Sequence, residues 1–190
     1  MSTVIYESAR LEHLYLNPKD RTDTDMLTDF LLREEEAYFN YAFGHKVLNA
    51  DASDQSSVKK AKDAIADNDY LSRMFGGVSP VFFKERERSD IVGFCVLVTD
   101  DQDRMRLTYY VSPSARRNGF TSEAYDAFEA NMTGFIGKEA DFAEVIATNK
   151  ASLSFLFSKG FQTVKSISRM DTSEHPTGSV RGKDLLVLRR

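Results

Sequence analysis

Apolar positions recur at helical spacing through the first third of the chain, then fall into short β-branched and aromatic runs from about residue 80 onward. Met26, Leu27, Phe30, Leu31, Tyr38, Tyr41 and Ala42 repeat near a helical period, with Glu34, Glu35 and Glu36 on the opposite side. This spacing predicts a helix opened by a capping box from Thr22 to Asp25, with the acidic triplet as a solvated face. A short extended segment around residues 3–6 and a loop at 16–20 precede it. Residues 50–57 are polar and turn-prone, and 58–71 predict a second helix that stops before Gly76 and Gly77.

The second part reads differently. Residues 81–83, 90–99 and 106–111 predict three strands, and the charged turns at 84–89 and 100–103 are short enough to make them an antiparallel meander. Beyond Val111 come a loop (112–118), a helix (119–132), a strand (142–147), a helix (151–158) and a strand (161–169), which implies a parallel βαβ step. A last strand is expected at 184–188, after a turn-rich stretch at 171–182 that is read as a mobile loop.

With 190 residues, 42% of them hydrophobic and 28% charged, the chain can bury one core, and one domain over residues 1–190 is expected. A net charge of −4 argues against an electrostatic grip on nucleic acid or an anionic membrane, so neither is expected as a partner. No run of apolar residues is long enough to span a bilayer, and the first residues carry no secretory pattern. The single cysteine, Cys95, lies in the apolar run from Ile91 to Val98 and reads as a buried thiol. A soluble, unprocessed, cytoplasmic protein is the expectation. His13, His45 and His175 share no metal-ligand spacing with one another or with Cys95, so no metal is expected. Phe82, Phe83, Phe94, Phe128 and Phe142 read as core.

The chemistry concentrates between Leu107 and Thr121, where a strand passes through a glycine-containing loop into a helix. The first amides of a helix have no intrahelical partner and lie at the positive end of its dipole, so this segment can hold a pyrophosphate on backbone N–H groups. Glycine at 119 lets a phosphate approach the backbone. Arg116 and Arg117 can fork onto the phosphates or be solvated loop residues.

Val111-Ser112-Pro113 followed by Arg116-Arg117-Asn118-Gly119-Phe120-Thr121 resembles the signature of the GNAT superfamily of N-acetyltransferases. Asn149-Lys150-Ala151-Ser152 through Gly160-Phe161 is similar to a second motif of that family, in the right order downstream. The resemblance covers roughly residues 90–161 and implies a recognisable core over about 80–190. It implies an α/β fold, a mixed and mostly antiparallel sheet flanked by helices, with the family's fourth and fifth strands splayed. It also implies acetyl-CoA as co-substrate, with Tyr109, Tyr110, Val111, Arg116, Arg117, Asn118, Gly119, Phe120, Thr121 and Asn149 as its contacts. In that scheme backbone groups of Tyr109 to Val111 pair with the pantetheine amides and Asn149 contacts the pantetheine.

Two positions depart from the family pattern. Thr121 stands where Gly or Ala is usual, and its β-branched side chain can either crowd the pyrophosphate or donate to it. Leu156 stands where many members carry a tyrosine thought to protonate the departing thiolate. Either Tyr109, Tyr110 or an ordered water serves as acid, or the thiolate leaves unassisted, or catalysis has lapsed. As base the resemblance implies Glu144, at the offset before Asn149 used by some members that acetylate protein N-termini. Desolvation inside a central strand is expected to raise its pKa, whereas a solvated edge or a pairing with a lysine is the alternative.

Two functions follow from the resemblance: an acetyltransferase acting on a primary amine of a small molecule or protein, or a lapsed GNAT-shaped module in a larger assembly. The acceptor, the acyl chain preference and the oligomeric state, including a homodimer or larger assembly, stay open at this level.

Overall fold

The computed structural model describes residues 3–34, 54–67, 75, 77–167 and 184–190. Strand β1 (Thr3–Glu7) pairs antiparallel with β2 (Leu11–Tyr15), and β2 pairs antiparallel with β3 (Val81–Glu85). The sequence pattern indicated β1 alone. Strand β2 escapes an alternation test because Leu11 enters the core on one face of the sheet while Leu14 enters the core on the other.

Helix α1 (Arg21–Arg33) starts two residues earlier than a capping box at Thr22 would place it. Its cap is Asp20, whose carboxylate accepts from the amides of Thr22 and Asp23 at 3.0 and 3.2 Å. The helix ends at Arg33, and Glu34 caps it as a buried residue rather than part of a solvated face. Glu35, Glu36, Tyr38, Tyr41 and Ala42 lie outside the described residues. Helix α2 (Gln55–Ala66) begins three residues before the expected start, because Asp54 accepts from the amides of Ser56 and Ser57 and turns those polar residues into a first helical turn. Leu71, at the expected end of this helix, is outside the described residues, as are Gly76 and the whole of 171–182.

The antiparallel meander is present as β3, β4 (Ile91–Thr99) and β5 (Met105–Val111). It continues through α3 (Phe120–Ile136), β6 (Phe142–Ile146), α4 (Lys150–Ser158), β7 (Gln162–Ile167) and β8 (Leu185–Arg189). One eight-stranded sheet results, in the order β1-β2-β3-β4-β5-β6-β8-β7. Among the described strands only β5 and β6 pair in parallel, as the βαβ step requires, and β8 lies between β6 and β7.

Both faces of the sheet's central strands are covered, while β1 and β7 at its two edges are mostly exposed. On one face, α3 and α4 close a cluster that includes Phe83, Cys95, Val111, Phe120, Phe128 and Leu156. On the other, Leu27, Phe30, Phe82, Phe94 and Tyr110 pack beneath α1. The two-sided covering explains why β4 is buried continuously from Ile91 to Leu97. Each fully buried phenylalanine contributes about 2–3 kcal/mol of transfer free energy, so the aromatic edge contacts of Phe30, Phe82 and Phe94 anchor α1 on the sheet. All five phenylalanines assigned to the core from the sequence are buried. The Cys95 thiol is buried too, and desolvation raises its pKa. No described helix is long and apolar enough to cross a membrane.

Candidate active site

Pairing between β5 and β6 is short. It consists of Arg106 with Phe142 and Leu107 with Ala143, after which the ladder ends and the strands diverge. On its other edge β5 remains in register with β4 up to Val111 and Gly93, and the Ser112 amide extends the contact by donating to Val92 O at 2.8 Å. A wedge therefore opens beside the second half of β5, on the side that faces β6.

At the top of this wedge the chain makes a tight turn at Pro113–Ala115 and enters α3. Arg117 and Gly119 both have left-handed backbones, with φ of 68° and 80°. They turn the loop into the start of α3, and no side chain caps that helix. Arg116, Arg117, Asn118 and Gly119 are exposed there, while Thr121 is partly exposed in the first turn. Phe120 is different: its ring is buried in the core, so only its backbone belongs to the loop surface. Arg116 donates through Nε to Val111 O at 3.1 Å and lies 5.8 Å from the Tyr110 ring centre, tying the loop to the end of the strand.

Arg10, in the β1–β2 turn, completes this region and was not singled out from the sequence. Its Nη1 donates to Asn118 O at 2.9 Å, and its Nε and backbone N–H both donate to the Glu123 carboxylate, at 2.8 and 2.6 Å. The guanidinium also lies over the Phe120 ring, 4.7 Å from its centre. Burial works to raise the Glu123 pKa, yet the hydrogen bonds from Arg10 and from the Ser8 hydroxyl outweigh it and hold the carboxyl below its ordinary value.

The two tyrosines of β5 face opposite ways. Tyr110 points into the α1 face, 2% exposed, and donates its hydroxyl to Glu34 Oε2 at 2.5 Å. Tyr109 points toward α4, where its hydroxyl donates to Ser152 Oγ at 2.9 Å and its ring meets Phe155 edge-on at 5.0 Å. Burial pushes the Tyr109 phenol well above its ordinary pKa.

Asn149 is the N-cap of α4, its Oδ1 accepting from the Ser152 amide at 3.1 Å. Helix α4 closes at Gly160, whose φ is 86°, and Phe161 returns to the core. Leu156 is wholly buried in the core. Glu144 is the first residue of β6 beyond its last pair with β5. Its carboxylate is exposed and lies 3.5 Å from Arg106 Nη1, so the burial expected for it inside a central strand is absent. An arginine across the strand gap is its partner, in place of the lysine considered from the sequence.

A mixed sheet that splits between two parallel strands, with a helix N-terminus at the split, is the arrangement of the GNAT fold. The acetyltransferase (GNAT) family model matches residues 11–161, and the chain belongs to that family. No curated protein sequence matches at a significant level. Among solved structures the chain is similar to the microcin C7 self-immunity acetyltransferase MccE in complex with acetyl-CoA and AMP. The two are 14% identical with a TM-score of 0.62, over 96% of this chain and 92% of that one. It is similar to RimL, a ribosomal L7/L12 alpha-N-protein acetyltransferase, bound to coenzyme A, at 13% identity and a TM-score of 0.63, covering 99% and 97% of the two chains. A chimera of the spermidine N-acetyltransferase SpeG from Vibrio cholerae with hSSAT is 11% identical with a TM-score of 0.61, covering 95% and 94%.

Proposed function

We propose that this protein transfers an acetyl group from acetyl-CoA to a primary amine of a small molecule or protein by direct attack in the wedge between β5 and β6. The observation that carries the reading is the end of strand pairing at Leu107 and Ala143, beside a helix whose uncapped N-terminus supplies a pyrophosphate site. The structural neighbours include proteins described with acetyl-CoA or coenzyme A bound, and others named for acetylating a protein amino terminus or spermidine.

In this reading the loop from Arg116 to Thr121 takes the pyrophosphate and the pantetheine arm lies along Tyr109 to Val111, with Asn149 at its far side. Glu144 accepts the proton of the acceptor ammonium, which must leave before nitrogen can attack. The nitrogen bonds to the thioester carbonyl carbon, the C–S bond breaks, and the thiolate takes a proton to leave as free coenzyme A, while the second proton that nitrogen loses on becoming an amide restores the donor. Tyr109 is the proton donor assigned here in place of the absent tyrosine at Leu156. It faces the α4 side and stays protonated, whereas the Tyr110 hydroxyl is directed into Glu34 on the other face.

The first experiment is a calorimetric titration with acetyl-CoA of the wild type and of Thr121→Asp. An acidic residue in the first turn favours the helix dipole, so the variant should fold at least as well as the wild type. The same charge repels a pyrophosphate. Binding by the wild type that is lost in a well-folded variant supports the site. Well-folded wild type that binds no acetyl-CoA, or that binds it yet releases no thiol with any amine, favours the lapsed module instead.

A further inference from the structure

Glu34 is a buried carboxylate that the transfer scheme above does not use. Its side chain is 1% exposed, and taking a carboxyl out of water is costly unless donors replace the lost hydration. Three do so. Tyr110 donates its hydroxyl to Oε2 at 2.5 Å, Ser112 donates its hydroxyl to Oε1 at 2.7 Å, and Arg33 Nε approaches Oε1 at 3.3 Å. Arg33 in turn donates to Ile91 O at 2.6 Å and lies 3.3 Å from Asp90. The dipeptide Arg33-Glu34 thus fastens the end of α1 to the start of β4 and to the end of β5.

The placement on β5 matters more than the bond count. Tyr110 and Ser112 lie two residues apart and so on one face, flanking Val111, whose side chain enters the opposite core. Strand β6 stops bracing β5 after Leu107, and the loop begins at Pro113. Between those points β5 is held by β4 along one edge, by Tyr109 at Ser152 on one face, by Arg116 at Val111 O, and by Glu34 across its other face. Glu34 therefore fixes the half-braced end of the strand.

We propose that Glu34 is a positioning residue: by holding the Tyr110 and Ser112 hydroxyls it sets the conformation of the β5 end that receives the pantetheine arm and thioester. It also locks the end of α1 to that strand. The inference rests on the reading of the wedge as an acyl-CoA site. It does not make Glu34 a catalytic residue, because its carboxylate is turned inward onto protein donors.

The test is calorimetry on Glu34→Gln, Tyr110→Phe and Ser112→Ala with two ligands, acetyl-CoA and its nucleotide half, 3′-phosphoadenosine 5′-diphosphate. Glu34→Gln should weaken acetyl-CoA binding by about tenfold, the scale of a lost charge-assisted hydrogen bond. Binding of the nucleotide half, which reaches only the loop and the start of α3, should stay within about twofold. The double variant Glu34→Gln/Tyr110→Phe should bind acetyl-CoA no worse than Glu34→Gln alone, since both remove one coupled contact. If Glu34→Gln does not fold, the other two variants, each lacking one hydroxyl, carry the same comparison.

Equal binding of acetyl-CoA by wild type and all three variants overturns the positioning role and leaves the site standing. An equal loss for both ligands overturns it also, because that is a general structural effect. Wild-type protein that binds neither ligand overturns the site itself and this inference with it.

Discussion

The Tyr109 hydroxyl donates to Ser152 Oγ at 2.9 Å and so bridges the strand beside the wedge to the first turn of α4. This contact bears directly on the leucine at position 156, which is wholly buried and can donate no proton. The bridge puts a phenol on the α4 side from a different element. Desolvation keeps that phenol protonated, and in the proposed transfer the same cause would make the leaving thiolate more basic. Tyr109→Phe is expected to lower kcat by about 10- to 100-fold with acetyl-CoA affinity changed little. Steady-state rates at saturating acetyl-CoA check this, and an unchanged kcat assigns the proton to water.

His13 predicts how stability depends on pH. It is 1% exposed, stacks on Tyr6 at 4.4 Å, and neither ring nitrogen has a hydrogen-bond partner. Desolvation lowers its pKa to about 4, against a smaller opposing pull from Glu123. A base whose folded pKa is depressed stays neutral in the fold while the unfolded chain takes up a proton. Its contribution is therefore complete above about pH 6.5 and is lost as pH falls from there toward 4. His13→Phe keeps the ring between Tyr6 and Phe83 and removes both unpartnered nitrogens. Melting curves should show wild type losing stability between these limits and the variant losing less. Parallel pH profiles for the two would refute the assignment.

How far the sequence foretold this site depends on the distance over which each part is assembled. Gly119 and Gly160-Phe161 act through their own neighbours, as a loop and a helix stop, and their local pattern was sufficient to place them there, whereas the N-cap role of Asn149 was not read from the sequence. Strand β2 was lost because Leu11 and Leu14 serve opposite faces, which erases the period-two signal. Arg10 and Glu34 were lost for another reason. They meet Glu123 and Tyr110 across 113 and 76 residues of chain, and no spacing rule spans such separations. Glu34 was even read as solvated, since an acidic triplet at helical spacing ordinarily is. The exposed setting of Glu144 likewise depends on where β5 and β6 part, which hydrophobicity does not encode.

Gly93 should be intolerant of any side chain. A Cβ built there runs into the carbonyl oxygen of Tyr110 and the ring of Phe83. Neither can give way easily, because the first is ladder backbone at the Gly93–Val111 pair and the second is a fully buried ring. Gly93→Ala is therefore expected to destabilise by about 3 kcal/mol or more, at the severe end for a single methyl. Chemical denaturation measures this. A loss within about 0.5 kcal/mol, the range of ordinary surface changes, would contradict the packing.

Arg10 makes the last prediction, because two opposed charges share one site. Glu123 lies in the first turn of α3, where a carboxylate favours the helix dipole but repels a phosphate bound to the same amides. Arg10 resolves the conflict by engaging both carboxylate oxygens, one through its backbone N–H and one through Nε, while Nη1 holds Asn118 O. Arg10→Ala removes the guanidinium and leaves Glu123 with less compensation beside the loop. Acetyl-CoA affinity should fall by about 5- to 10-fold, and more at low salt than at high salt, since the added repulsion is partly screened. The second change in Arg10→Ala/Glu123→Gln removes that repulsion, so the double variant should recover most of the lost affinity although it lacks every side-chain contact of Arg10. A double variant as weak as Arg10→Ala would mean that Arg10 acts by shaping the loop through Asn118, and that the charge of Glu123 is immaterial to the coenzyme.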